Sequence, residues 1–534
     1  MKPISVMVLT ASLSVLPSLA DAQSSTDTTA ASRVRTTDGF IAGLTLPSGV
    51  RAFRGVPFAA APVRELRWQP PQRAQPWAGV RAADRFAAQC MQARIYSDMV
   101  FRNAGVSEDC LYLNVWMPAG ASATVALPVL VYFYGGGFQA GDGSEPRYDG
   151  ESMARRGIVV VTTSYRLGVF GFFAHPELTR ESPHHASGNY AFLDQVAALR
   201  WVHDNIAAFG GNPGRVTIAG ESAGSFSVSA LMASPLSREY ISAAVGESGS
   251  LLSETRSSTP LADAEREGVR FATDVGASSL AGLRAMSAME LLAATTRSGA
   301  ARFGSDIDGW FLPESPATIY AAGRQARVPL LAGWNSEESS ARALSQTPIT
   351  PESLHGILLT IFGAQAADAE RVYPLATADE ALQSATNLAS DRFIAYSTWK
   401  WLEEHGRTSG KPVYRYFYSH ARPAAVAGPS QSAPPPRGAV HSAEIEYAMG
   451  NLASNNAFAW SGDDYRVSNT MQAYFENFIK TGNPNGDGLP NWPVGLVDSS
   501  GRVMHMRIDV NSRAEPEDRA RYLFLERFYG QSRK

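Results

Sequence analysis

Apolar and polar positions along this chain alternate between two kinds of stretch. Short runs of β-branched and aromatic residues read as buried strands: Pro128-Val-Leu-Val-Tyr-Phe-Tyr134, Gly157-Ile-Val-Val-Val-Thr-Thr163 and Arg215-Val-Thr-Ile-Ala219. Val328-Pro-Leu-Leu-Ala332 and Val413-Tyr-Arg-Tyr-Phe-Tyr418 have the same character. Between the first three lie helical patterns, notably Tyr190 to Phe209, where Leu193, Val196, Ala197, Leu199 and Val202 fall on one face. Strands that are apolar throughout, alternating with helices, predict a mostly parallel α/β sheet covered on both sides. Ala421 to Gly438 breaks the pattern with Pro, Ala, Ser and Gly, including Pro434-Pro435-Pro436, and reads as an exposed loop.

The N-terminus belongs to a different regime. Lys2 precedes an apolar run from Ile4 to Leu19, and Ala20-Asp21-Ala22 is a small-x-small cleavage pattern, with the cut expected before Gln23. Residues 1–22 therefore read as a signal peptide, 23–33 as a Ser/Thr/Ala-rich linker and 34–530 as one catalytic domain. Export to the periplasm or beyond follows. The run is short and holds Pro17, and no other stretch is long enough to span a bilayer. In an exported chain whose two cysteines are Cys90 and Cys110, one disulfide is expected, contributing about 3 kcal/mol. A formal net charge of -3 offers no field for nucleic acid or an anionic membrane.

Candidate chemistry sits at strand ends. Gly220-Glu221-Ser222-Ala223-Gly224 follows the strand Arg215 to Ala219 and precedes the helix-compatible stretch Phe226 to Met232. This is the strand-turn-helix context of a nucleophile elbow, in which glycines relieve clashes and Ser222 is pushed out above the sheet. Tyr134-Gly135-Gly136-Gly137-Phe138 ends an earlier strand. The N–H groups of Gly136, Gly137 and Ala223 are candidate oxyanion donors, each worth about 2.7–4 kcal/mol of barrier.

The serine needs a base, and the order for such folds is Ser, then Asp or Glu, then His. His355, His405, His420, His441 and His505 follow Ser222. His405 lies among charged residues and reads as solvated. Order and spacing leave His420 and His441 as rivals. For the acid, Glu337 and Glu338 stand just beyond the strand Val328 to Ala332, and pattern alone does not separate them; Asp306 and Asp308 are weaker options. No metal-ligand cluster is recognisable, and no cofactor is expected.

These residues resemble the type-B carboxylesterase family, which includes cholinesterases and bacterial carboxylesterases. The resemblance spans residues 33 to 530. It rests on Phe53-Arg-Gly-Val-Pro-Phe-Ala59, Ser107-Glu-Asp-Cys-Leu-Tyr-Leu-Asn114, Tyr134-Gly-Gly-Gly-Phe138, Gly188-Asn-Tyr-Ala-Phe-Leu-Asp-Gln195 and Gly220-Glu-Ser-Ala-Gly224. Asn205-Ile-Ala-Ala-Phe-Gly-Gly-Asn-Pro213 and Thr481-Gly-Asn-Pro-Asn485 extend it. It implies an α/β-hydrolase fold with large insertions around the active site, and hydrolysis of a small-molecule carboxylic ester by two-step acyl transfer. It selects Glu338 as triad acid and His441 as base, pairs Cys90 with Cys110, and matches Arg67 and Glu108 to a structural ion pair. Glu221, beside the nucleophile, would add a buried carboxylate near the leaving group. Ser339 and Ser442 stand where the family has glycine, which bears on local backbone geometry. The Cys90 to Cys110 loop has no Trp to hold a quaternary ammonium.

Overall fold

A computed structural model describes residues 33–297, 299, 301–426, 437–497 and 501–531. The expected signal peptide, nearly all of the expected linker and most of the Pro-rich loop lie outside the described residues; Arg33 already begins a short strand.

Eleven strands form the main sheet. In chain order they are β1 (Leu44–Thr45), β2 (Arg51–Pro57), β3 (Tyr112–Met117), β4 (Leu127–Phe133), β5 (Val159–Thr163), β6 (Gly211–Glu221), β7 (Ala243–Glu247), β8 (Leu330–Asn335), β9 (Val413–Tyr418), β10 (Met504–Ile508) and β11 (Arg513–Pro516). Their spatial order is β11-β10-β9-β8-β7-β6-β4-β5-β3-β2-β1. From β5 through β4, β6, β7, β8 and β9 to β10 every pairing is parallel. Antiparallel strands complete both flanks.

The parallel centre carries the apolar runs. Every residue of β5 is buried, and so is every residue of β7 and β8. A strand with both side-chain directions buried is covered on both faces, so an unbroken apolar run is what such a position requires. Helices provide the cover. The helix α1 (Tyr190–Asn205) and the helix α2 (Ala223–Ala233) pack on β6, α2 also on β7, and α3 (Tyr396–Thr408) on β8 and β9. α1 continues as a 3-10 turn, Ile206–Phe209, so the helical pattern read through Phe209 holds with a change of helix type at its end. The long connection from β8 to β9 is largely helical, and the one from β7 to β8 mixes short helices with loops. Among the described residues, no helix is long and apolar enough to cross a membrane.

Cys90 and Cys110 are joined by a disulfide. Beside it, Arg67 donates to both oxygens of Glu108, at 2.6 and 2.7 Å, in a largely buried two-pronged pair. His405 departs from the sequence reading: it is fully buried, not solvated. It lies on the inward face of α3, where its Nε2 bonds the Val328 carbonyl at 2.8 Å. Burial pushes its pKa down to about 4, against the raising effect of that carbonyl.

Candidate active site

The site is built at the C-terminal ends of the parallel strands, where loops can project side chains over the sheet edge. β6 delivers Ser222 in a sharp turn. Its backbone is left-handed, φ 54° and ψ −119°, and its N–H bonds the Glu247 carbonyl at the end of β7 at 2.8 Å. A side chain costs energy in this region, so the turn is held by its surroundings. The flanking glycines are sterically required. A Cβ on Gly220 would lie 2.7 Å from the Phe133 carbonyl oxygen, and one on Gly224 2.0 Å from the same atom.

Ser222, His441 and Glu338 form a hydrogen-bonded row. His441 Nδ1 donates to Glu338 Oε2 at 2.6 Å, which leaves Nε2 to accept from the Ser222 hydroxyl at 2.9 Å. The serine is nearly buried, and a quarter of the imidazole remains exposed. The Phe393 ring meets the imidazole edge to face at 5.0 Å. Phe393 belongs to a π-helical turn, Asp391–Ala395, that leads into α3.

Glu338 lies three residues past the end of β8 and its carboxylate folds back on its own turn. Oε1 accepts from the Asn335 N–H at 2.6 Å and from the Ser248 hydroxyl at 2.5 Å. Glu337 is placed otherwise. Its N–H bonds the Ala439 carbonyl at 2.8 Å in a bridge to the segment that carries His441. The remaining candidates have partners of their own. His420 Nε2 bonds Asp464 at 2.8 Å, His355 pairs with Glu370, and His505 Nε2 bonds Glu515. Asp306 is held by Asn189, and Asp308 caps the backbone of Trp310 and Leu312.

Gly136 and Gly137 both have positive φ, 111° and 64°. A Cβ on Gly136 would meet the Ala140 carbonyl oxygen at 2.1 Å, so only glycine permits this loop to fold so tightly. Ala223 opens α2, where the first N–H groups of a helix have no intrahelical acceptor. Gly135 seats Glu221: a Cβ there would lie 2.5 Å from its Oε2.

Glu221 Oε1 is 3.2 Å from His441 Nε2, so this nitrogen faces both the serine and a carboxylate. Burial pushes the Glu221 carboxyl up to about 8, although His441 pulls it back. Glu444 lies three residues beyond His441, fully buried, and accepts from Asn335 Nδ2 at 2.5 Å and from Ser248 at 3.2 Å. Burial, then the Glu338 charge, raises it to about 7. For His441, burial opposes the imidazolium, but Glu221, Glu338 and Glu444 outweigh it and raise the pKa to about 9. The site is thus a histidine amid several buried acids.

Sequence reasoning missed Ser248 and Phe393 and gave Asn335 and Glu444 no role. Asn335 and Glu444 stand three residues from Glu338 and His441; for Ser248 and Phe393 there was no local signal. Ser442, where the family has glycine, adopts φ 62°, a left-handed strain that glycine would not feel. Ser339 shows no such strain. Among the described residues, no cluster of His, Cys, Asp and Glu suits a metal ion.

Known proteins bear on these observations. A family model described as "Carboxylesterase family" matches residues 30–523. The chain is 34% identical to a fumonisin B1 esterase of Sphingopyxis macrogoltabida, over 87% of this chain and 84% of that protein. It is 33% identical to a medium-chain fatty acyl-CoA hydrolase precursor of Anas platyrhynchos, covering 87% of this chain and 85% of the relative. It is also 33% identical to a cocaine esterase of Homo sapiens, over 84% and 82% respectively.

Proposed function

The chain belongs to the carboxylesterase family and is a carboxylic ester hydrolase, and from that premise we propose that it works through an acyl-enzyme on Ser222. The observation that carries this reading is the row Ser222–His441–Glu338, with 2.9 and 2.6 Å between successive partners. His441 Nε2 takes the hydroxyl proton as Ser222 attacks the ester carbonyl carbon. The carbonyl oxygen becomes an oxyanion, received by the N–H groups of Gly136, Gly137 and Ala223. The tetrahedral adduct then expels the alcohol, which leaves with the proton from His441. Water, deprotonated by His441, attacks the acyl-serine and releases the carboxylate product.

Glu338 keeps the proton of neutral His441 on Nδ1 and stabilises the imidazolium formed in each half-reaction. Glu221 faces the other nitrogen at 3.2 Å and favours the same cation. The relatives are named for different substrates, so family membership leaves the natural ester open.

The reading includes export, with cleavage before Gln23; the Cys90–Cys110 bond supports an oxidising compartment. One experiment tests both parts. A serine-directed organophosphate is added to the mature secreted protein and to Ser222→Ala, and intact masses are recorded. The expected wild-type mass is that of a chain starting near Gln23 with one adduct; the variant carries none and loses ester hydrolysis. An adduct on the variant refutes the nucleophile, and a mass including residues 1–22 refutes cleavage.

A further inference from the structure

Arg256 stands near the site and, among the described residues, has no carboxylate partner. Arg256 lies with its guanidinium carbon 4.6 Å from the centre of the Phe393 ring. The other end of that contact is the His441 imidazole, 5.0 Å from the same ring. Phe393 therefore touches both the cation and the catalytic imidazole. Arg256 is exposed to water, yet ringed by enough protein that burial lowers its pKa. This is the condition of a group lining a cleft. Arg302 is close enough to repel it. Two nearby acids have other partners: Glu267 pairs with Arg270 and also accepts from the Arg302 backbone N–H, and Asp98 faces Arg147.

Tyr96 ties this cation to the reacting atoms. Its hydroxyl is 3.3 Å from where a Cβ of Gly137 would stand, which puts it at the candidate oxyanion loop. After burial, Arg256 and Tyr96 are each the strongest electrostatic influence on the other. Arg256 thus shares the Phe393 ring with His441 and is close to Tyr96, whose hydroxyl reaches the Gly137 loop. A guanidinium without a carboxylate partner, one aromatic ring away from the catalytic imidazole, disfavours a cationic group at that point and leaves hydrogen-bond donors unused. Both defects are removed by a bound carboxylate.

We propose that Arg256, laid over Phe393 beside His441, is a specificity-determining cation, and that the preferred substrates are esters bearing a free carboxylate on the acyl or the alcohol half. This rests on Ser222 hydrolysis as described above. The guanidinium binds the remote carboxylate and holds the ester carbonyl over Ser222. It takes no part in proton transfer. Arg302 adds long-range attraction and no fixed contact.

The test compares kcat/KM for charged and neutral esters of matched shape. Monoethyl glutarate against ethyl hexanoate places the charge on the acyl half. O-butyryl glycolate against propyl butyrate places it on the alcohol half. In the wild type at least one charged ester is favoured over its neutral match. Arg256→Met keeps the unbranched stem over Phe393 and removes the charge. It lowers the charged-to-neutral ratio by about tenfold, as expected for a lost hydrogen bond to an ionised group, chiefly through KM. Arg256→Lys recovers part of the ratio. Free glutarate, tested as a competitive inhibitor of ethyl hexanoate hydrolysis, binds the Met variant about tenfold more weakly. The pair that responds identifies which half carries the charge. An unchanged ratio, or equal loss on charged and neutral esters, overturns the proposal. Hydrolysis that persists in Ser222→Ala overturns the mechanism and leaves the Arg256 comparison separately readable.

Discussion

Replacing Glu338 by Gln tests the acid of the triad more sharply than removing it, because the two ends of the side chain have opposite demands. Oε1 accepts from the Asn335 N–H and the Ser248 hydroxyl, at 2.6 and 2.5 Å. An amide NH2 at that end would face the Asn335 backbone N–H head on, donor against donor, with only the Ser248 hydroxyl able to accept from it. The Gln therefore turns its oxygen to Asn335 and Ser248 and its NH2 to His441 Nδ1, the position now receiving a proton at 2.6 Å. Donating to Nδ1 forces the imidazole proton to Nε2, the nitrogen that must be empty to accept from Ser222. The wrong tautomer and a missing charge act together. The equivalent acid-to-amide change in a serine protease lowers kcat roughly 10⁴-fold, or about 5.5 kcal/mol. Glu337 is half-buried and serves through its backbone, so Glu337→Gln should remain within about tenfold of wild type. The assay is kcat for both variants on one soluble short-chain ester, with circular dichroism to verify folding. A dead Glu337→Gln beside an active Glu338→Gln would mean the acid is its neighbour. Two active variants would remove the acid from this loop altogether.

The pH dependence of kcat/KM should show activity lost as pH falls, with a midpoint above the ordinary histidine value of about 6.5, because carboxylates raise His441 to about 9. Glu221 is the first of those raising charges, so Glu221→Gln should move that midpoint downward; a midpoint that stays or rises contradicts the assignment. Gly136→Ala drives a methyl into the Ala140 carbonyl, 2.1 Å away, and should displace the donor loop. The expected loss is about 10²–10³ in kcat, measured on the same ester, and near-wild-type turnover would remove Gly136 from the oxyanion hole.

The sheet's parallel centre was legible because its physics is local. Val413–Tyr418 coincides with the apolar run that announced it. Boundaries slipped where backbone chemistry outranked hydrophobicity. Pro329 has no N–H to give the ladder, so β8 starts at Leu330, two residues after the apolar run does, and then runs on through Asn335. At β6 the opposite happened. The run read as a strand starts at Arg215, yet Gly211 pairs with Leu127 across an irregular register and the strand begins there. The antiparallel flanks escaped because half-buried strands such as β2 lack the unbroken apolar run. The π-helical turn escaped because its hydrogen bonding leaves no periodic mark, although it sets Phe393 against His441.

The site was legible to a different depth. A nucleophile elbow and a glycine loop announce themselves because strained backbone restricts which residues can stand there. The choice between Glu337 and Glu338 had no such signal. It depends on where β8 ends and on a carboxylate reaching three residues back to its own Asn335 N–H, and neither follows from two adjacent glutamates in a string. Glu444 is a harder case. It comes under the triad only because the chain passes Ser442 in a left-handed turn, at a serine, and then begins the short helix α4, Ile445–Met449. Glu221, Glu338 and Glu444 thus arrive from three separate stretches of chain, and sequence spacing carries no record of their mutual repulsion. Yet that repulsion, with burial, raises Glu221 to about 8 and Glu444 to about 7, and their attraction for the imidazolium sets the basicity of His441. The proposed base is picked out by the family resemblance, but its strength is a property of the assembled sheet edge.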